Sequence, residues 1–230
     1  MSRTNHDERQ YMKKTYKAIL FDMDGVLLDS EPLFLRAIND ALGEYGVDII
    51  SDEENRSFLI GTTIYQTWDR IKSVRKLDKS VEALISDYEH HVLQIFGGTL
   101  DARPGVTALV NFCQSKSIPI AVASSSQHRW IDLKLNAIGL SGAFDSVMGG
   151  DDVINGKPDP EVYLRSAEKV GQIAEDCIAI EDSPVGIASA VASGAYTIAV
   201  KTDSTLGLDV SAAQVLLEDL THFDYQLLGD

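Results

Sequence analysis

Lys17-Ala18-Ile19-Leu20-Phe21-Asp22-Met23-Asp24-Gly25 is the stretch on which the fold turns. Ala18 to Phe21 form a short apolar run suited to a buried strand. Two acids end it, and Gly25 lets the backbone turn sharply. Asp22 and Asp24 are two positions apart, so along a strand they project to one side, ~6–7 Å apart at the backbone. Carboxylates so spaced can flank a phosphoryl group, one attacking phosphorus while the other gives a proton to the departing oxygen. Asp-x-Asp-Gly is also common chain-reversal chemistry, and the stretch alone leaves both readings open.

Toward the N-terminus, residues 1–15 read as a polar, poorly ordered lead-in without the apolar segment of a secretory signal. Toward the C-terminus, Ser30 is placed to cap a helix with Pro32 in its first turn. Leu33, Phe34, Ala37, Ile38, Ala41, Leu42 and Tyr45 follow at helical spacing until Gly46. From Asp52 to Phe96 the patterns are helical, and Val81, Leu84, Ile85, Tyr88, Val92 and Ile95 make the clearest stripe. Beyond Gly105 helices alternate with apolar runs at 118–123, 144–148, 177–180, 196–200 and 213–217. Buried strands alternating with helices predict an α/β fold, a Rossmann-like doubly wound parallel sheet. Residues 30–101 interrupt that rhythm and read as an inserted all-helical cap domain, leaving 16–29 and 102–230 as the core.

The bulk numbers narrow the partners. Against 20 basic residues stand 35 acidic ones, a net charge of −15, which argues against nucleic acid or an anionic membrane. A phosphorylated substrate would need a divalent cation and local donors to overcome that field. No apolar stretch approaches the ~20 residues of a membrane span. Cys113 and Cys177 belong to no Cys-x-x-Cys pair and read as buried reduced thiols, hence a cytoplasmic protein. No internal repeat, Gly-x-Gly-x-x-Gly or Walker loop occurs.

In open parallel sheets, ligands bind outside the carboxyl ends of the strands. Those ends carry Asp22 and Asp24, the run Ser124-Ser125-Ser126, and Glu181-Asp182, with Lys157 on a loop between glycine and proline. The serines could donate hydroxyl and backbone N–H groups to phosphate oxygens ahead of the next helix. Each feature has a plainer reading as loop, cap or solvated surface. Together, the acids offer the hard oxygen ligands that magnesium takes, and without a cation they would repel one another.

At these residues the chain resembles the haloacid dehalogenase superfamily, in its phosphatase and β-phosphoglucomutase-like branch. Phe21-Asp22-Met23-Asp24-Gly25-Val26-Leu27 matches the first family motif and Val122-Ala123-Ser124-Ser125 the second. Gly156-Lys157-Pro158-Asp159-Pro160 matches the third and Ile180-Glu181-Asp182-Ser183 the fourth, while Asp29-Ser30-Glu31-Pro32 is similar to the start of that branch's cap. The resemblance implies Asp22 as nucleophile, forming an aspartyl phosphate, and Asp24 as general acid and then general base. It implies Ser124, Ser125 and Lys157 as phosphate-binding residues. Mg2+ is implied on Asp22, the Asp24 main-chain oxygen and Asp182, with Glu181 in or just behind the ligand set.

Within the family, dehalogenation would leave Asp24, Glu181 and Asp182 without work. A β-phosphoglucomutase grips a second phosphate with a cap histidine and arginine; the matching positions look like Phe34 and Ile64, unless Arg36 or Arg70 compensates. The expectation is a monomeric phosphatase for a small phosphorylated metabolite such as a hexose or pentose phosphate or phosphogluconate. A non-catalytic phosphosugar-binding module is the alternative of another class, disfavoured because no member of the catalytic set is missing. Selectivity is expected from Glu31, Gly61 and Thr62 in the cap and from Ser126, Gln127 and His128 in the core.

Overall fold

The computed structural model describes residues 14–59, 63–203 and 205–229. Gly61 and Thr62, and the lead-in up to residue 13, lie outside them. Six strands form one parallel sheet: β1 (Ala18–Phe21), β2 (Ile120–Ala123), β3 (Ser146–Met148), β4 (Cys177–Glu181), β5 (Tyr196–Val200) and β6 (Val215–Leu217). Their order is β3-β2-β1-β4-β5-β6, the doubly wound Rossmann-like arrangement. The strands read as unbroken apolar runs because helices cover both faces. Within β1 the period of two is kept, with Ile19 and Phe21 in one apolar cluster and Ala18 and Leu20 in the other.

Four helical segments follow β1 directly in the chain. They are α1 (Glu31–Glu44), the short α2 (Asp52–Glu54) continuing as a π-type turn over Asn55–Leu59, α3 (Ile64–Arg75) and α4 (Val81–Phe96). Ser51 with Glu54 and Thr63 with Gln66 form capping boxes, and Ser80 caps α4. α4 packs on both α1 and α3, with the fully buried Trp68 tilted against Tyr88 at 5.7 Å between ring centroids. Four helices complete the core: α5 (Val106–Ser115), α6 (His128–Ala137), α7 (Glu161–Lys169) and α8 (Pro184–Ser193).

The elements fall where the pattern predicts, with shorter strands. β2 starts at Ile120 rather than Ile118, since Pro119 has no N–H to donate and Ser117 has a positive φ of 55°. One local expectation is overturned. Ser30 does not cap α1: its backbone is already helical (φ −89°, ψ −21°), and its hydroxyl donates to Asp24 Oδ1 at 2.5 Å. An N-cap needs an extended backbone to reach the first-turn N–H groups, and an ionised carboxylate is the stronger acceptor. Ser183 does cap α8, accepting from Gly186 N with Pro184 in the first turn. Among the described residues no helix is long and apolar enough to cross a membrane.

Candidate active site

Register brings the chemistry together. Phe21 of β1 lies opposite Val122 of β2 and Ile180 of β4, so the residues that follow emerge level at the carboxyl edge. β1 and β4 flank the point where the strand order reverses, where the crevice of such a sheet opens. A cavity of about 460 Å³ lies there, lined by Asp22, Asp24, Ser124, Ser125, Lys157, Glu181 and Asp182. Asp29, Ser30 and Glu31, where the chain enters the helical segment, line it too.

Lys157, whose peptide bond to Pro158 is cis, reaches into the crevice. Its Nζ lies 2.5 Å from Asp22 Oδ1 and 2.6 Å from Glu181 Oε1. Burial disfavours the ammonium, yet Asp22 and Glu181 hold it above its ordinary value. Burial pushes the Asp22 carboxyl well up, against the pull of Lys157 and with the help of Glu181 and Asp182. Burial and Glu181 push Asp182 up to about 7.

Glu181 is 1% exposed and fully engaged. Oε1 accepts from Lys157 and from the Tyr163 hydroxyl at 2.9 Å, while Oε2 accepts from Asp182 N, Ser183 N and Ser183 Oγ. So occupied, it orients Lys157 and the strand end more readily than it could ligate an ion. Two glycines make room for these acids. A Cβ on Gly186 would stand 1.7 Å from Glu181 Oε1, and one on Gly25 (φ +84°) 2.1 Å from Asp182 Oδ2. Thr202, just beyond β5, donates to Asp182 Oδ2 at 3.2 Å.

One carboxylate oxygen from each of Asp22, Glu181 and Asp182 lies within 4.8 Å of the others. Three acids against one lysine leave the crevice short of positive charge. Hard oxygen donors with that deficit fit a divalent cation such as magnesium.

Asp24 sits in different company. Its Oδ1 accepts from Ser30 and from Lys134 Nζ at 2.5 Å, and its Oδ2 from Ser126 Oγ at 3.1 Å. Burial opposes ionisation, but these donors, Lys134 foremost, hold the carboxyl below its usual range. Ser126 is thus bonded to Asp24 rather than lining the cavity, and Ser124 Oγ accepts from Ser126 N. Gln127 is exposed at the start of α6, and the His128 ring lies 2.6 Å from Asp152 Oδ2; neither lines the cavity. Phe34 packs on Phe96, Arg36 lies 3.7 Å from Asp40, and Ile64 is exposed at the first position of α3.

Sequence reasoning missed Lys134, Tyr163 and Thr202. A signal existed for the first two: Lys134 falls on the apolar stripe of α6 with Ile131 and Leu135, and Tyr163 on that of α7 with Val162 and Ala167.

A profile of the family described as haloacid dehalogenase-like hydrolase matches residues 19–200. The chain therefore belongs to that family. It is 32% identical, over 77% of its length and 82% of the relative's, to a phosphorylated carbohydrates phosphatase of Thermotoga maritima. With a fructose-1-phosphate phosphatase of Escherichia coli it shares 28% identity, over 83% of this chain and 99% of the relative. A putative β-phosphoglucomutase structure from Thermotoga maritima superposes with a TM-score of 0.79 at 28% identity, covering 92% of this chain and 96% of the other. Within the family the chain is an enzyme of the phosphatase and β-phosphoglucomutase-like branch.

Proposed function

We propose that the protein is a magnesium-dependent phosphatase that hydrolyses a sugar phosphate through an aspartyl phosphate on Asp22. The observation that carries this reading is the Asp22 carboxylate at the switch point, 2.5 Å from a buried lysine, with Asp182 and Glu181 in reach. Asp22 attacks phosphorus, a P–O bond to Asp22 forms, and the ester P–O bond to the sugar breaks. Asp24, which must first take up a proton against the pull of Lys134, gives it to the departing oxygen, then takes one from the water that cleaves the aspartyl phosphate. Ser124, Ser125 and Lys157 hold the phosphoryl oxygens. Magnesium, held by Asp22, Asp182 and the Asp24 main-chain oxygen, would supply positive charge where the loose, anionic transition state spreads its own.

The helical segment would act as a cap, with residues 30–101 of that part shaping what enters and Glu31 at the cavity contacting the sugar. Its occupants at the positions of a mutase's phosphate grip, Phe34 and Ile64, can bind no second phosphate. The relatives' names support a sugar phosphate as substrate. The reading includes a monomer, and a reducing, cytoplasmic setting that the buried free thiols of Cys113 and Cys177 support.

Hexose phosphates, pentose phosphates and phosphogluconate, incubated with protein and magnesium, test the reading. Steady release of inorganic phosphate, abolished by chelation, is expected. Conversion of β-glucose 1-phosphate into glucose 6-phosphate without phosphate release would establish a mutase instead.

A further inference from the structure

α6 sends one lysine inward. Lys134 is 2% exposed and shares the buried face of the helix with Ile131 and Leu135. Its ammonium meets Asp24 Oδ1 at 2.5 Å and Ser126 Oγ at 3.3 Å, and lies 5.3 Å from the centroid of the Phe34 ring. It does not line the cavity. A buried ammonium is costly to desolvate, and a methionine of similar length would pack at this position without that cost. That cost is met by what the lysine holds, the carboxylate of Asp24.

We infer that Lys134 is a positioning residue for the proton-transferring carboxylate of Asp24. The inference rests on the phosphatase reading, in which Asp24 protonates the leaving oxygen. Three donors from three elements fix the carboxylate: Lys134 from α6, Ser126 from the loop after β2, and Ser30 from the entry to α1. Oδ1 is shared by two of them, whereas Oδ2 meets only the Ser126 hydroxyl among the described residues. Oδ2 thus keeps a lone pair free to take up a proton, which it then donates to the departing oxygen. The lysine supplies the strongest of the three contacts, because it alone is charged. Without it, a carboxylate on two rotatable bonds would leave the line of the scissile bond, and near-attack geometry is lost over distances of about 1 Å.

The loss should follow the leaving group. A sugar alkoxide cannot depart without a proton, whereas p-nitrophenolate can. Since kcat/KM covers the steps up to departure of the alcohol, it reports on Asp24 as an acid and not on later hydrolysis of the aspartyl phosphate. The experiment compares kcat/KM on p-nitrophenyl phosphate with that on the sugar phosphate turned over fastest in the panel above. Lys134→Met is expected to lower the sugar-phosphate value by about tenfold to a hundredfold while changing the aryl value by less than about threefold. Lys134→Arg should recover most of the difference, and Asp24→Asn should show the same selectivity more strongly. Equal losses on both esters, or none on either, overturn the assignment. Should Lys134→Met prove insoluble, the same ratio on Lys134→Gln decides, and a ratio equal to the wild type's overturns it. Wild-type protein that releases phosphate from neither ester sinks the phosphatase reading itself, an outcome visible before any Lys134 variant is assayed.

Discussion

The carboxyl edge of the sheet and the helical segment from α1 to α4 bury different things. At the edge, charged groups are buried and every oxygen of Glu181 is engaged, while Gly25 and Gly186 sit where any side chain would collide. In the helical segment the fully buried side chains are apolar, Leu42, Trp68, Ile71, Leu84 and Phe96 among them; ion pairs such as Arg36–Asp40 and Lys79–Asp87 are exposed, and Arg75–Glu54 is partly buried. A parallel ladder holds its strand ends rigidly, so a dense polar cluster can be kept in register there. Helices joined by loops meet through apolar faces that tolerate adjustment. Substitutions at the edge should therefore strike turnover and metal binding, and those on the helical segment's surface should strike neither.

Asp22→Asn tests the edge most severely. It removes the proposed nucleophile while keeping the shape, and phosphate release should fall by more than about 10³-fold with the thermal unfolding midpoint little changed. Residual turnover close to wild type would mean that Asp22 is not the attacking group.

Gly25→Ala comes next. Its Cβ would stand 2.1 Å from Asp182 Oδ2 at a backbone φ of +84°. The displaced carboxylate should weaken magnesium activation by roughly tenfold or more, read as the magnesium concentration giving half-maximal rate. The strained backbone should also cost about 1–3 kcal/mol of stability in denaturant unfolding.

A pH effect should separate metal-free from magnesium-bound protein. Burial and Glu181 raise the folded Asp182 carboxyl from 3.8 to about 7, so between those values the folded state holds a proton that the unfolded chain has released. Stability of the chelated protein then falls as pH rises from about 4 to about 7 and levels off above. Added magnesium should offset the loss at pH 8 and do little at pH 5, which differential scanning calorimetry can check. A chelated protein that gains stability over that window would break the account of the acid cluster.

The smallest effect belongs to the helical segment. Arg36→Ala deletes an exposed pair 3.7 Å long and should change stability by less than about 0.5 kcal/mol, with kcat/KM on the best sugar phosphate unchanged. A large rise in KM would instead make Arg36 a substrate contact and return the mutase to consideration.

Much of this contrast was legible beforehand. The run Ala18–Phe21 had to be a strand because it is short, apolar and ended by a glycine turn, and Ser183 with Pro184 had to begin a helix. The acids at 22, 24, 181 and 182, with Lys157 and the serines, could be assigned to one end of a parallel sheet by alternation alone. Ser30 misled because a serine before a proline-containing first turn is a capping signal only when its backbone is extended and no better acceptor is near. Ser126, Gln127 and His128 were grouped by adjacency, whereas their side chains go to Asp24, solvent and Asp152 respectively.

The sequence by itself determined that Asp22 ends a buried strand with a second acid two residues on, because hydrophobic period and turn chemistry are local properties. Tertiary structure alone decided what each acid faces. Lys157 reaches Asp22 across 135 residues and Lys134 reaches Asp24 across 110. Contacts at that separation depend on strand order and on how helices seat against the sheet, which no local pattern records. For that reason nine residues could raise Asp22 as a candidate nucleophile, whereas the apolar stripe of α6 could single out Lys134 without telling that it meets Asp24.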